Sequence, residues 1–132
     1  METQTGAEEH KAVVLIVDDD EDQLLIFQAL LQKTGFNVIT SRSAREGLDT
    51  LASTSVDLII CDVLMPQQNG RWFISQVRQH KTSQRLPVIA FSASSDDLEE
   101  SLLAAGADAY CPKNRARNLL YQTRSLLEGT VH

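Results

Sequence analysis

The sequence predicts an α/β domain in which helices cover both faces of a mainly parallel, five-stranded sheet. A strand-like run is followed by a helix-like run five times along the chain. The intervening segments are long enough to hold the right-handed crossovers that join parallel strands. Two of the strand-like runs, Val13–Val17 and Val56–Cys61, are largely apolar rather than alternating, as expected for strands that are covered on both faces.

The five predicted strands are short runs rich in valine, isoleucine and other β-prone residues. Their predicted limits are Val13–Val17, Phe36–Thr40, Val56–Cys61, Val88–Phe91 and Ala109–Cys111. Pro87 precedes the fourth run, and proline is tolerated where a strand begins. Cys61 and Cys111 lie in these apolar runs, so we expect two buried free thiols rather than a disulfide.

The five predicted helices follow the strands and show either an apolar stripe or residues typical of helix ends. Their predicted limits are Gln23–Thr34, Ser43–Leu51, Arg71–His80, Leu98–Ala105 and Asn114–Leu127. Ser43 and Glu46 have the spacing of a capping box at the start of the second helix. Gly35 and Gly106 follow the first and fourth helices, where a left-handed residue usually ends a helix.

The length of 132 residues fits one domain. We expect residues 12–128 to fold, 1–11 to form a flexible N-terminus and 129–132 to form a C-terminal tail. No apolar run approaches the roughly 20 residues that span a bilayer, and the polar N-terminus lacks a signal-peptide core, which predicts a cytoplasmic protein without membrane contact. The formal net charge of −6 argues against nucleic acid as a partner.

The predicted strand ends carry carboxylates, a hydroxyl and an ammonium. In chain order these residues are Asp18, Asp19, Asp20, Asp62, Ser92 and Lys113. Parallel strands end at one edge of the sheet, where ligands of such folds bind, so these groups should converge. Hard oxygen ligands of this kind suit Mg²⁺, and a carboxylate can accept a phosphoryl group as an aspartyl phosphate. Asp20 has a second explanation, as a cap of the first helix.

Several motifs together resemble the response-regulator receiver domain of two-component signalling. They are Leu15–Asp19, Asp57–Pro66 with Asn69-Gly70, Val88–Ala93, and Gly106–Tyr110 running to Lys113. The resemblance extends from about residue 12 to residue 127, which is nearly the whole chain. It implies a flavodoxin-like, doubly wound sheet with strand order 2-1-3-4-5.

The resemblance also implies a role for each matching residue. Asp62 matches the phosphoacceptor, and Asp18, Asp19, Asp62 and the backbone carbonyl of Leu64 match the Mg²⁺ ligands. Lys113 matches the lysine that pairs with the phosphate, while Ser92 and Tyr110 match the hydroxyl and the aromatic residue of the switch. The lysine differs in its setting, because Asn114 follows it where the family usually has proline. We expect a trans peptide between Lys113 and Asn114.

The implied function is Mg²⁺-dependent transfer of a phosphoryl group to Asp62 from a phosphohistidine of a sensor histidine kinase or a histidine phosphotransfer protein. Phosphorylation would switch a face made by the fourth helix, fifth strand and fifth helix, which would bind an effector or a second copy. The domain would catalyse only its own phosphorylation and dephosphorylation.

Two other functions are weighed against this one. The Lys113-Asn114 pair is compatible with a receiver-like interaction module that is never phosphorylated. An aspartyl-nucleophile phosphatase is more remote, because Leu64 stands where such enzymes carry their second acid.

Overall fold

A computed structural model describes residues 11–63, 70–92, 99–113 and 115–131. The strands are β1 (Val13–Val17), β2 (Asn37–Ser41), β3 (Leu58–Asp62), β4 (Val88–Ser92) and β5 (Ala109–Pro112). The helices are α1 (Glu21–Lys33), α2 (Ala44–Ser53), α3 (Gly70–Gln79), α4 (Glu99–Ala105) and α5 (Ala116–Val131). Strand and helix alternate five times, which confirms the predicted element order.

The five strands form one parallel sheet in the order β2-β1-β3-β4-β5, which confirms the predicted topology. β3 lies at the centre, and every residue from Leu58 to Asp62 is buried. The order reverses between β1 and β3, because the chain first adds β2 on one side and then continues on the other. Ligands of doubly wound sheets bind beyond the carboxyl ends of the strands at such a switch point.

The sheet divides the apolar core into two layers, because alternate residues of a strand point to opposite faces. Leu15 and Val17 of β1 pack in one layer, together with side chains of α2, α3 and α4. Val14 and Ile16 pack in the other layer, together with side chains of α1 and α5. Both faces of β1 are therefore covered, which explains its continuous apolar sequence.

The start of α1 differs from the prediction by two residues. The helix begins at Glu21 rather than Gln23, because the Asp20 side chain caps it: Asp20 Oδ1 accepts from the backbone N–H groups of Asp22 at 3.0 Å and Gln23 at 3.3 Å. Gly35 follows the helix with φ of 105°, as predicted for its C-terminal stop. The Asp20 side chain therefore serves as the N-cap of α1.

The start of α2 confirms the capping box with one variation. The Glu46 N–H donates to Ser43 Oγ at 3.1 Å, while Glu46 Oε1 accepts from the backbone N–H of Arg42 at 2.7 Å. The return bond therefore goes to the residue before the cap. Both bonds hold the chain where β2 turns into the helix.

The last helix is longer than expected. α5 begins at Ala116 and continues to Val131, four residues beyond the predicted end at Leu127. Cys61 and Cys111 are buried and free, as the sequence predicts. None of the helices in the described part of the chain combines the length and the apolar character needed to cross a bilayer.

Arg78, near the end of α3, joins three parts of the fold that are distant in sequence. Its Nε and Nη2 donate to the Gly106 carbonyl at 3.0 and 2.8 Å. Nη1 donates to the carbonyls of Leu86 at 2.6 Å and Gln84 at 3.1 Å. Nη2 also meets Asp108 Oδ2 at 2.8 Å. One guanidinium thus ties α3 to the loops that precede β4 and β5.

Replacing Arg78 by lysine should lower the free energy of unfolding by about 2–3 kcal/mol, because a lysine ammonium cannot reproduce the guanidinium fork and leaves part-buried carbonyls without a donor. Denaturant unfolding of the purified chain measures the change. The matched control is Arg85→Lys at an exposed position of the following loop, which should stay close to wild type. Equal stability of the two variants would contradict the role given to the hydrogen bonds of the Arg78 guanidinium.

Candidate functional site

The register of the sheet brings the predicted polar residues to one edge. Asp62 is the last residue of β3 and lies opposite Phe91 of β4. Ser92 is the last residue of β4 and lies opposite Pro112, the last residue of β5. Lys113 follows Pro112 and therefore lies at the same edge. Asp18 follows β1, where its N–H extends the ladder by donating to the Ser41 carbonyl at 3.0 Å. The strands therefore end in acids, a hydroxyl and an ammonium that meet at the carboxyl edge.

Three carboxylates at this edge lie close enough to share one cation. Asp18, Asp19 and Asp62 each offer an oxygen, and these atoms lie within 4.8 Å of one another. Asp18 and Asp62 are 2% and 5% exposed, whereas Asp19 is half-buried. Like charges brought together out of water repel each other and are costly unless a positive charge neutralises them. The site therefore has both the ligand atoms and the electrostatic need for a divalent cation.

Lys113 supplies a positive charge to the same cluster. Its Nζ donates to Asp18 Oδ2 at 2.9 Å and lies 3.5 Å from Asp62 Oδ2. Burial lowers the pKa of the Lys113 ammonium, but the hydrogen bond to Asp18 and the charges of Asp62 and Asp18 together raise it above its ordinary value. The amine is therefore a cation at neutral pH, held next to the proposed phosphoacceptor.

The two predicted switch residues are both buried. Ser92 is fully buried at the end of β4, and its carbonyl accepts from the Lys113 N–H at 2.8 Å. Tyr110 is 8% exposed and packs in the core layer shared with α2, α3 and α4. In this state the tyrosine is therefore already inside the domain. Leu64, the predicted carbonyl ligand, and Asn114, with its bond to Lys113, lie outside the described residues.

The Cys61 thiol, next to the predicted phosphoacceptor Asp62, is a poor nucleophile. Burial and the negative charges of Asp62 and Asp18 raise the pKa of Cys61 well above its ordinary value. Its Sγ donates to the Asp62 carbonyl at 3.2 Å. Because only a thiolate is a good nucleophile, Cys61 acts here as a packing residue, and the carboxylates are left as the reactive groups.

Gly70 is a positioning residue that the sequence presented only as part of a motif. A Cβ at this position would come within 2.6 Å of the Asp62 carbonyl oxygen and 2.7 Å of the Val63 Cα. Its N–H donates to the Val63 carbonyl at 3.0 Å. The start of α3 thus packs directly on the backbone of Asp62, the predicted phosphoacceptor. A glycine at the start of a predicted helix was the available signal, but the close approach depends on tertiary structure.

This combination defines a class: a doubly wound α/β domain with an acidic pocket at its switch point whose oxygens are placed to hold a cation. The model of the response regulator receiver domain family matches residues 14–124. The chain belongs to this family, and it is a receiver domain of two-component signalling. Receiver domains are signalling domains rather than enzymes, and they bind Mg²⁺ at an acidic pocket.

Curated relatives are similar over most of this chain. The transcriptional regulatory protein CpxR of Escherichia coli (strain K12) is 38% identical over 117 residues, which are 86% of this chain and 48% of CpxR. The response regulator MprA of Mycolicibacterium vanbaalenii is 36% identical over 121 residues, which are 89% of this chain and 51% of MprA. The chain therefore spans about half the length of these relatives.

Solved structures support the same fold. The chemotaxis protein CheY4 of Vibrio cholerae superposes with a TM-score of 0.81 at 28% identity, covering 89% of this chain and 99% of CheY4. A signal receiver domain of a histidine kinase from Syntrophus aciditrophicus gives 0.82 at 31% identity, covering 89% and 91%. The chain is thus similar to receiver domains from a chemotaxis protein and from a kinase.

Gly70→Ala should destabilise the domain by roughly 1–3 kcal/mol, since the new methyl group meets backbone atoms that cannot rotate away. Gly47→Ala in α2 is the matched comparison, because its Cβ would meet only the side chains of Phe73 and Val17, at 3.0 Å. Denaturant unfolding of both variants should show the larger loss for Gly70→Ala. A larger loss for Gly47→Ala would contradict the proposed packing.

Proposed function

We propose that this domain accepts a phosphoryl group on Asp62, in the presence of Mg²⁺, from the phosphohistidine of a sensor histidine kinase or a histidine phosphotransfer protein. The observation that carries the proposal is the position of Asp62: its carboxylate ends the central strand, 3.5 Å from the Lys113 ammonium and within 4.8 Å of two further acids. This set supplies a nucleophile and the groups that neutralise charge around it.

The proposed transfer forms one bond to phosphorus and breaks another. An oxygen of the ionised Asp62 carboxylate attacks phosphorus, the bond from phosphorus to the donor imidazole nitrogen breaks, and that nitrogen keeps the electron pair and takes up a proton from solvent. Asp18, Asp19, Asp62 and the carbonyl of Leu64 would hold Mg²⁺. When bound, the ion neutralises negative charge on the transferring phosphoryl oxygens.

In this proposal Lys113 and Ser92 bind the phosphoryl group on Asp62 and stabilise it. The Lys113 ammonium, already paired with both buried acids, turns towards a phosphoryl oxygen. The Ser92 hydroxyl, at the end of the neighbouring strand, donates to another. Phosphorylation would change the balance between two conformations in favour of an inward Tyr110, a position that the tyrosine already takes in this structure.

The proposed output surface is the face made by α4, β5 and α5. Leu103 of α4 and Tyr121 of α5 are large apolar side chains that are 40% and 74% exposed. Such residues are suited to burial against an effector or a second copy of the chain. CpxR is named a transcriptional regulatory protein and is about twice as long as this chain. The net charge of −6 argues against nucleic acid as a partner of this domain alone. It does not apply to any longer protein that contains the domain.

Asp62→Asn should abolish phosphorylation by a small acyl phosphate with Mg²⁺, because an amide is no nucleophile towards phosphorus. Intact-mass spectrometry counts the phosphoryl groups on each chain. The matched control is Asp20→Asn, which alters a nearby carboxylate that caps α1 and should leave phosphorylation intact. A wild type that binds Mg²⁺ but gains no phosphate would favour the unphosphorylated interaction module.

Lys113→Met should slow phosphorylation by about a hundredfold, the typical effect of removing one donor to a developing charge. Mg²⁺ binding should persist, because the three acids remain and a competing cation is lost. Calorimetric titration with Mg²⁺ and the rate of mass gain measure the two effects separately. Lys33→Met, at the exposed end of α1, is the control. A normal rate in Lys113→Met would exclude the lysine from the reaction.

A further inference from the structure

Lys113 has a long, flexible side chain, and its ammonium has to be positioned between Asp18 and Asp62. Holding such a chain in one rotamer costs conformational entropy, so additional contacts along it matter. Its backbone is fixed by the hydrogen bond to the Ser92 carbonyl, and its Nζ by Asp18 and Asp62. One more group interacts with the cation: Nζ lies over the ring of Phe91, 5.7 Å from the ring centroid, which is within the range of a cation–π interaction.

Phe91 is itself held rigidly. It lies in β4 directly between Asp62 of β3 and Cys111 of β5, and it is 1% exposed. Its ring meets the ring of Phe27 from α1 at a centroid distance of 4.7 Å and an interplanar angle of 89°. This edge-to-face arrangement fixes the orientation of both rings. The orientation of the Phe91 ring is therefore set by contacts in the core.

We propose that Phe91 is a positioning residue, whose ring face holds the Lys113 ammonium between Asp18 and Asp62. The negative face of an aromatic ring attracts a cation within about 6 Å, and more strongly where water is excluded. The Lys113 side chain is only 16% exposed, so this condition is met. The consequence for phosphorylation rests on the function proposed above, whereas the position of the Lys113 ammonium over the ring does not.

The ring could instead act only by filling space. Fluorination separates the two roles, because a phenylalanine with fluorines at its meta and para positions keeps nearly the same shape but loses the negative charge of its face. We would introduce this residue at position 91 of the full chain. The same residue at position 27 is the matched control, since Phe27 belongs to the same layer and contacts Phe91.

The first readout is the rate of phosphorylation by a small acyl phosphate at saturating Mg²⁺. Fluorination of Phe91 should slow it roughly 3- to 10-fold, and fluorination of Phe27 should change it by less than about 2-fold. The Mg²⁺ affinity should stay the same in both proteins. Equal rates for the two fluorinated proteins would overturn the proposal, because packing effects alone would then account for both.

The second readout needs neither metal nor phosphate. Protons of the Lys113 ε-methylene group should be shifted upfield by the ring current of Phe91 in the NMR spectrum, with the signal identified by its loss in Lys113→Met. The shift should disappear in Phe91→Leu. Its absence in the wild type would overturn the proposal. If the wild type shows the shifted signal but takes up no phosphate, the position of Lys113 over Phe91 is supported. The proposed function would then be overturned instead.

Discussion

Two carboxylates buried at the ends of neighbouring parallel strands are the constraint on which the rest of this domain depends. Asp18 and Asp62 lie almost without exposure beside each other, and Asp19 adds a third oxygen. Such a cluster is tolerated only when a cation compensates it. Lys113, from the fifth strand's end, provides that charge within the chain. The same few atoms therefore determine both the stability of this edge and the proposed binding of Mg²⁺.

The apolar core determines which residues can meet at this edge. The pairing of β1 with β3 joins Val17 to Cys61, so the following residues, Asp18 and Asp62, emerge side by side. A slip of one residue would send each side chain of β3 into the opposite layer, whose packing is shaped for different side chains. Since both faces of β3 are buried, such a slip is strongly disfavoured. The position of the acids is therefore maintained by hydrophobic burial far from the site.

The sequence predicted the order of strands and helices because that order depends on features that short segments carry, whereas the strand order in the sheet came from the resemblance to the family and the roles of the site residues stay predictions. Continuous apolar runs indicate buried parallel strands, and the residue after each run is placed at the edge by the sheet itself. The contacts of Arg78 with Gly106 and of Lys113 with Phe91 could not be predicted this way. They join residues distant in sequence and depend on side-chain directions. The start of α1 was misplaced because Asp20 fitted a loop as well as a cap.

Lys113 has to meet two demands with different geometry. In the state described here, its ammonium is closer to Asp18, at 2.9 Å, than to Asp62, at 3.5 Å. After the proposed transfer, the negative charge extends outward from Asp62, and the ammonium must follow it. Hydrogen bonds to fixed carboxylates resist such a movement because they are directional. The attraction of a ring face is less directional, so Phe91 favours a position near both acids without fixing which of the two the ammonium bonds.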